Sequence, residues 1–250
     1  MQAKINLLTI FNCSFISLII ILFALTSCSK NQEDYYVLII TGGKKIERSD
    51  FLRIFDDLNV DFKEVIQPDA NNIYSSPEIH SFDVLIFYDM VQEINEDQKL
   101  AFLKLLNTGK GMIFLHHSLV SYQEWDEYEK IIGGRFYQST NKEDSIRFVQ
   151  STYRHDVKIP VQIVSRDHPI TRGIDDFVIH DEVYGNYKIL SKVNPLITTT
   201  HPKSEKVIGW TNTYGKSRIV YIQLGHDHHS YDDPNYRRLI KQSINWVAMR

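Results

Sequence analysis

The chain has 250 residues, with 28 lysines and arginines against 31 aspartates and glutamates, a formal net charge of −3 with neutral histidines. That balance leaves no basic footprint for nucleic acid. No internal repeat, low-complexity block or heptad pattern breaks the chain, which excludes solenoid, disordered and coiled-coil classes.

The N-terminus reads as a targeting segment. Lys4 precedes an apolar run from Leu7 to Leu25, broken only by Thr9, Asn12, Ser14 and Ser17 and closed by Leu25-Thr26-Ser27-Cys28. A charged start, an apolar middle and a small-residue end are the parts of a signal peptide. An uncleaved anchor would read similarly, since about 20 apolar residues span a bilayer. The closing residues, however, resemble a bacterial lipobox, which implies a lipoprotein signal over residues 1–27, cleavage before Cys28 and lipid on its sulfur. Ser29 after the cysteine resembles outer-membrane sorting, so the expected location is the cell envelope, lipid-anchored, with residues 28–34 as a tether. Both cysteines, Cys13 and Cys28, lie in this segment. The remaining domain, residues 35–250, therefore has neither a disulfide nor a thiolate for catalysis or zinc.

Roughly 220 residues remain, enough for one α/β domain with a substantial core. Tyr35 to Ile40 is a near-continuous apolar strand ending in Thr41-Gly42-Gly43, and Arg48 to Leu58 has apolar residues at helical spacing. Val60 to Ile66 and Phe82 to Tyr88 read as the next strands. Asn95 to Leu106 is a helix with Asn95 as N-cap and Gly109 beyond its end. Met112 to Leu115 is a strand, followed by a helix from about Tyr122 to Ile132 that stops at Gly133-Gly134. Apolar strands separated by helices predict a mainly parallel sheet covered on both faces.

From Arg135 to about Gly215 strands and turns take over, with strands at Phe177 to Tyr184, Pro195 to Thr200 and Lys206 to Thr211; this insertion is expected over the carboxyl edge of the sheet. Ile219 to Leu224 returns to the core, and Asn235 to Val247 closes the domain as a helix. Two strands stop abruptly in imidazoles, Leu115-His116-His117 and Leu224-Gly225-His226-Asp227-His228-His229. Carboxyl ends of strands line the ligand crevice in open α/β sheets, so these histidines point to a site.

Six short motifs in order, Leu115-His116-His117, Ile132-Gly133-Gly134-Arg135-Phe136, His168-Pro169-Ile170-Thr171, Asp181-Glu182-Val183-Tyr184, Trp210 with Tyr214-Gly215-Lys216, and Leu224-Gly225-His226-Asp227, resemble the trehalose-utilisation ThuA-like family. The resemblance covers nearly the whole domain. It implies a class I glutamine amidotransferase-like fold, a flavodoxin-like three-layer α/β/α sandwich, and a role in carbohydrate catabolism through 3-keto-sugars. In the amidotransferases a cysteine occupies the elbow after a central strand. Here His116 or His117 stands there, and His226-Asp227 falls where the base pair would be. Glutamine hydrolysis is thereby excluded, and Ser118 lacks the Gly-x-Ser-x-Gly surroundings of a serine nucleophile.

Imidazoles and carboxylates without a nucleophile suit proton transfer. A 3-keto group acidifies the neighbouring C2 proton, and its removal needs a base of suitable pKa and an electrophile for the oxyanion. His116 or His226 is the expected base, with Glu182 or Asp181 orienting a histidine or binding sugar hydroxyls; strand alternation lets one of the two acids reach a ligand, Glu182 being favoured. The same His116, His226 and Glu182 form a nitrogen and oxygen set suited to zinc, manganese or nickel. Substrate contacts are expected from Gly42, Gly43, His117, Trp125, Tyr184 and Asp227. Trp210 reads equally as core or platform, and His117 as packed or participating. His155 is balanced between rim and site, His168 reads as a turn residue, and His228 and His229 read as exposed. The expected partners are a small-molecule carbohydrate and, through the lipid anchor, a membrane. A carbohydrate-binding lipoprotein without catalysis remains the second reading.

Overall fold

The computed structural model describes residues 35–138 and 149–248; the leader, Cys28 and the tether lie outside them. Strand β1 (Tyr36–Gly42) alternates its side chains between two cores, Val37 and Ile39 on one face and Leu38 and Ile40 on the other. Helix α1 (Arg48–Asp57) buries Phe51, Ile54 and Phe55 against the first face. Helix α2 (Glu96–Thr108) buries Phe102, Leu105 and Leu106 against the second. Its ends are those the sequence announces. Asn95 and Gln98 complete a reciprocal capping box, and Gly109 closes the helix in the left-handed region at φ +89.

Strands β2 (Asp61–Ile66), β3 (Val84–Asp89) and β4 (Gly111–Leu115) run parallel to β1 in the order β2-β1-β3-β4. Helix α3 (Asp126–Ile132) begins four residues later than the sequence suggests. Tyr122 has φ +49, which no helix accommodates, and a 3-10 turn occupies His116–Val120 instead. A two-residue pair, β5 (Gly134–Arg135) with β8 (Lys188–Ile189), stands apart from the main sheet.

The insertion does not form a separate layer over the sheet. Its strands β6 (Thr152–Ile163), β7 (Phe177–Gly185), β9 (Asn194–Thr199) and β10 (Val207–Tyr214) continue the same sheet beyond β11 (Ser217–Ile222). The nine strands run in the order β2-β1-β3-β4-β11-β10-β9-β6-β7, parallel as far as β11 and antiparallel after it. Four ladder steps would set β7 about 19 Å from β11 in a flat sheet. Asp181 of β7 nonetheless accepts a hydrogen bond from Gly225 N, just past β11, at 2.7 Å. The antiparallel half therefore bends back, and reaches the carboxyl edge by curvature. Short helix α4 (His228–Tyr231) and closing helix α5 (Pro234–Ala248) complete the first face, α5 burying Tyr236, Leu239, Ile240, Ile244 and Val247. Among the described residues no helix is long and apolar enough to cross a membrane.

A buried polar network closes the end of β3. Gln67 Nε2 donates to Asp89 Oδ2 at 2.9 Å and to Asn71 Oδ1 at 2.8 Å, and Tyr122 donates to Asn71 Oδ1 at 2.7 Å. Burial pushes the Asp89 carboxyl from 3.8 up to about 7, against the hydrogen bonds it accepts. With the folded value above the unfolded one, no penalty exists below about 4; it grows as pH rises through about 7 and is constant above. Asp89→Asn removes this dependence. Relative to the parent, the variant's unfolding free energy is expected to rise by about 2–3 kcal/mol between pH 5 and pH 8; a difference that stays constant across denaturant titrations in that range contradicts the assignment.

Candidate functional site

Strands β4 and β11 are parallel neighbours that pair Leu115 with Ile222, so the residues after them leave the sheet side by side. His116 turns at once, at φ +47, a region that residues with side chains seldom occupy. This is the strained strand-to-helix turn of a nucleophile elbow with an imidazole in the nucleophile's place. Ser118 is buried and donates to Phe87 O at 2.8 Å, so its hydroxyl is spent on structure.

The second turn is held from both sides. Gly225 has φ +112, and a Cβ there would lie 2.1 Å from Tyr236 Oη. Asp181 accepts from Gly225 N at 2.7 Å, His226 N at 3.0 Å and Glu182 N at 2.7 Å. Tyr88 and Tyr231 donate to the carbonyls of Gly225 and His226 at 2.6 and 3.1 Å. Asp181, expected as a candidate catalytic acid, thus positions the His226 backbone. Its two oxygens are committed to main-chain donors.

Glu182 is the acid that reaches the histidines. Its side chain is 1% exposed; Oε2 lies 2.9 Å from His116 Nε2 and 3.1 Å from His226 Nδ1, and Oε1 lies 3.1 Å from His155 Nδ1. The His116 and His226 nitrogens are themselves 3.0 Å apart, and Tyr184 Oη stands 3.0 Å from His116 Nε2. Burial works against ionisation of Glu182, but His116 and His226 outweigh it and hold the carboxyl well below the usual range. Burial likewise lowers His226, and Glu182 reverses this, leaving the ring above the ordinary imidazole value. His117 is buried, and desolvation followed by the charges of His116 and Lys44 keeps it well below that value, hence neutral.

The tautomer of His116 follows from its partners. Its Nδ1 meets Gln223 O at 2.6 Å, and a carbonyl only accepts, so Nδ1 carries hydrogen. A neutral His116 then turns an Nε2 lone pair toward the carboxylate. Glu182 Oε2 has two nitrogens in reach, yet it makes no aligned hydrogen bond and is an orphaned buried acceptor. His116 Nε2 and Glu182 Oε2 then face each other as acceptors, and a proton on His226 Nδ1 or a cation among the three atoms reconciles them.

Other expected contributors lie elsewhere. Trp125 is a core residue, its ring edge-on to Phe102 and Tyr122, and it lines no rim. Trp210 is fully buried and donates to Ile132 O at 2.8 Å. A Cβ on Gly43 would lie 2.0 Å from Met90 O, and one on Gly42 would lie 2.9 Å from Gln67 N, so these glycines admit the chain's own backbone instead of a ligand. Asp227 caps α4, accepting from His229 N at 2.9 Å. His168 Nδ1 accepts from Ile170 N at 3.2 Å as a turn residue, and His228 and His229 are exposed. Tyr184 and His117 do belong to the cluster: the Tyr184 ring stacks 5.0 Å from His116, and the His117 ring is 4.5 Å from it.

His155 enters the site through a β-bulge. Arg154 pairs with Val183 and Val157 with Asp181, so His155 and Asp156 together oppose Glu182. Asp156 takes φ +55 there. The polar run Tyr153-Arg154-His155-Asp156 inside an otherwise alternating strand is the one sequence signal of that bulge. Lys44, whose charge acts on both His117 and His226, carried no such signal.

Two donor sets here have one atom from each residue within 4.8 Å of the others: His116, His117 and His226, and His155, Glu182 and His226. Donors about 2.1 Å from an ion stand about 3.0 Å apart when at right angles. The His116, His226 and Glu182 atoms, 2.9 to 3.1 Å apart, fit that spacing. The His116 Nδ1 bond to a backbone carbonyl is the backing usual for an imidazole ligand.

Comparison with known proteins places the chain. The family model described as ThuA, trehalose utilisation, matches residues 37–247. No curated protein sequence matches significantly. A crystal structure of a ThuA-like protein from Parabacteroides merdae is similar with TM-score 0.74 and 17% identity, over 87% of this chain and 91% of that one. A ThuA-like protein from Bacteroides uniformis gives 0.67 and 18%, over 89% and 94%. A protein described as a GMP synthase component from Thermoplasma acidophilum gives 0.51 and 15%, over 87% and 96%. At these identities the structures speak for the fold alone.

Proposed function

The chain belongs to the ThuA family of trehalose utilisation, and on that premise we propose that it is an enzyme of carbohydrate catabolism acting on a keto-sugar or related glycoside by proton transfer. The observation that carries this reading is the meeting of His116 Nε2, His226 Nδ1 and Glu182 Oε2 at 2.9 to 3.1 Å. His226 holds Nδ1 inside the cluster, so its Nε2 is directed away from it, and the ring is partly exposed at 22%. Glu182 raises its pKa and fixes its orientation, as a carboxylate does for a general base. In the reaction, the C2–H bond of the 3-keto-sugar breaks and the proton passes to His226 Nε2. The electron pair moves toward the carbonyl as an enediolate, then forms the C1–C2 double bond as the C1–O bond breaks and the departing oxygen takes the proton back from His226 Nε2. Lys44, whose charge acts on His226, and His155, beside Glu182, would stabilise the oxyanion through charge and hydrogen bonding respectively.

The orphaned Glu182 Oε2 favours a second occupant of the cluster. His116, His226 and Glu182, with His155 or His117 beside them, would hold a zinc, manganese or nickel ion, which when bound supplies Lewis acidity for the enediolate oxygen. A perturbed imidazole pair set around a buried acid supports an enzyme over a sugar receptor.

His226→Ala and Glu182→Gln are expected to lower turnover of a 3-keto-disaccharide by about 10²–10⁴-fold, each variant still folding but with a lowered unfolding midpoint because a buried charge loses its partner; His116→Ala is expected to do the same. Retained turnover with intact folding removes the base assignment, and sugar binding without turnover in the parent identifies a receptor. Calorimetric titration of chelator-treated protein with Zn²⁺ decides the second occupant: uptake by the parent and loss in Glu182→Gln supports it, and no uptake by the parent rejects it.

The leader pattern supports attachment to the cell envelope through lipid on Cys28. Cys28→Ser is expected to move the protein from the membrane fraction to the soluble fraction of lysed cells; an unchanged membrane fraction contradicts lipidation.

A further inference from the structure

We propose that Tyr153 forms a second sugar-ring subsite, an aromatic platform outside the imidazole cluster on which the departing ring of a disaccharide stacks. The inference rests on the carbohydrate reading above and adds a place for the part of the substrate that does not react.

A lone exposed tyrosine is commonplace on protein surfaces. Tyr153, 63% exposed, is distinguished by where the sheet puts it. In the β6 and β7 ladder Tyr153 is directly opposite Tyr184, and directly opposed residues share a face. Tyr184 directs its hydroxyl to His116 Nε2, so that shared face is the one that carries the cluster. The bulge that follows then turns His155 onto Glu182 while keeping its ring against Tyr153, centroids 5.2 Å apart and edge-on. From solvent inward the rings stand in a row: Tyr153 to His155 at 5.2 Å, His155 to His226 at 4.6 Å, His226 to His116 at 5.1 Å.

The row is graded in chemistry. Its inner members are polar and titratable, and its outermost member is an apolar face with a hydroxyl at its tip. A sugar ring presents C–H groups on one face and hydroxyls at its edge, so its C–H face stacks on such a ring while its hydroxyls stay with water. The subsite requires the ring whose C2 proton lies at His226 to be oriented with its C1 substituent toward His155 and Tyr153. Trp125 and Trp210 are buried in the core and leave this role open.

The test uses the full chain in detergent, with trehalose and glucose as unreactive probes titrated by saturation-transfer NMR. Tyr153→Ala is expected to weaken trehalose about tenfold and glucose less than about twofold, while Tyr153→Phe binds both like the parent. Equal weakening of both sugars, or no change in either, overturns the subsite. Turnover of a 3-keto-disaccharide by the parent is read separately. Selective loss of trehalose binding in a parent background that turns nothing over keeps the platform and overturns the enzyme reading; a parent that binds neither sugar overturns the platform, and one that also leaves the 3-keto-disaccharide unchanged overturns both.

Discussion

A carboxylate buried among imidazoles governs the construction of this protein. Glu182 is almost wholly removed from water yet held ionised, a state that is costly unless positive charge and donors surround it. Each nearby feature serves that requirement. His116 adopts a strained backbone to bring its ring over β4, with Gln223 O fixing which nitrogen faces inward. Asp181 spends both oxygens on the main chain of the Gly225 turn, so that His226 arrives in register. Removing the acid would leave three imidazoles without the group that orients them; removing a single imidazole would leave the acid undercompensated.

The architecture explains how an acid on the last strand of a nine-stranded sheet meets histidines at its centre. The parallel half delivers β4 and β11 as neighbours whose ends open on the same edge. The antiparallel half bends back, and the bulge at His155 and Asp156 sets two residues against Glu182, adding a third imidazole. Tyr88 and Tyr231, whose hydroxyls lie 2.7 Å apart, join the α1 and α5 side of the core to the same turn. The chemistry is thus mounted on strand ends and a curved ladder instead of on long loops, which favours fixed geometry.

Much of the parallel half was legible because a doubly covered strand must be apolar throughout, as in Val84 to Tyr88, and because Asn95 and Gly109 mark helix ends by mechanisms that act locally. The meeting of His116 and His226 was legible for a related reason: adjacent parallel strands end together. Curvature was not. Nothing in Phe177 to Tyr184 says whether that strand lies over the sheet or extends it, since either arrangement buries the same residues. The roles of Asp181 and Glu182 were separable only in part, because alternation predicts that the two diverge but not that the first would find three backbone donors. Trp125 was misplaced because a tryptophan just before a helix is equally suited to a rim or to packing on Phe102 and Tyr122. His155 depended on a bulge, and the residues of a bulge are constrained by the opposing strand more than by their own sequence.

The central claim is that this cluster moves a proton at the carbon beside a sugar carbonyl. The most direct measurement is an NMR time course of the protein with a 3-keto-disaccharide in deuterated buffer. Deuterium entering at C2 of the keto-sugar, or loss of the C2 proton as the disaccharide is cleaved, with both absent in Glu182→Gln, is the predicted result. Cleavage with the C2 proton retained in the product, or deuterium entry at the same rate in the variant, would contradict it.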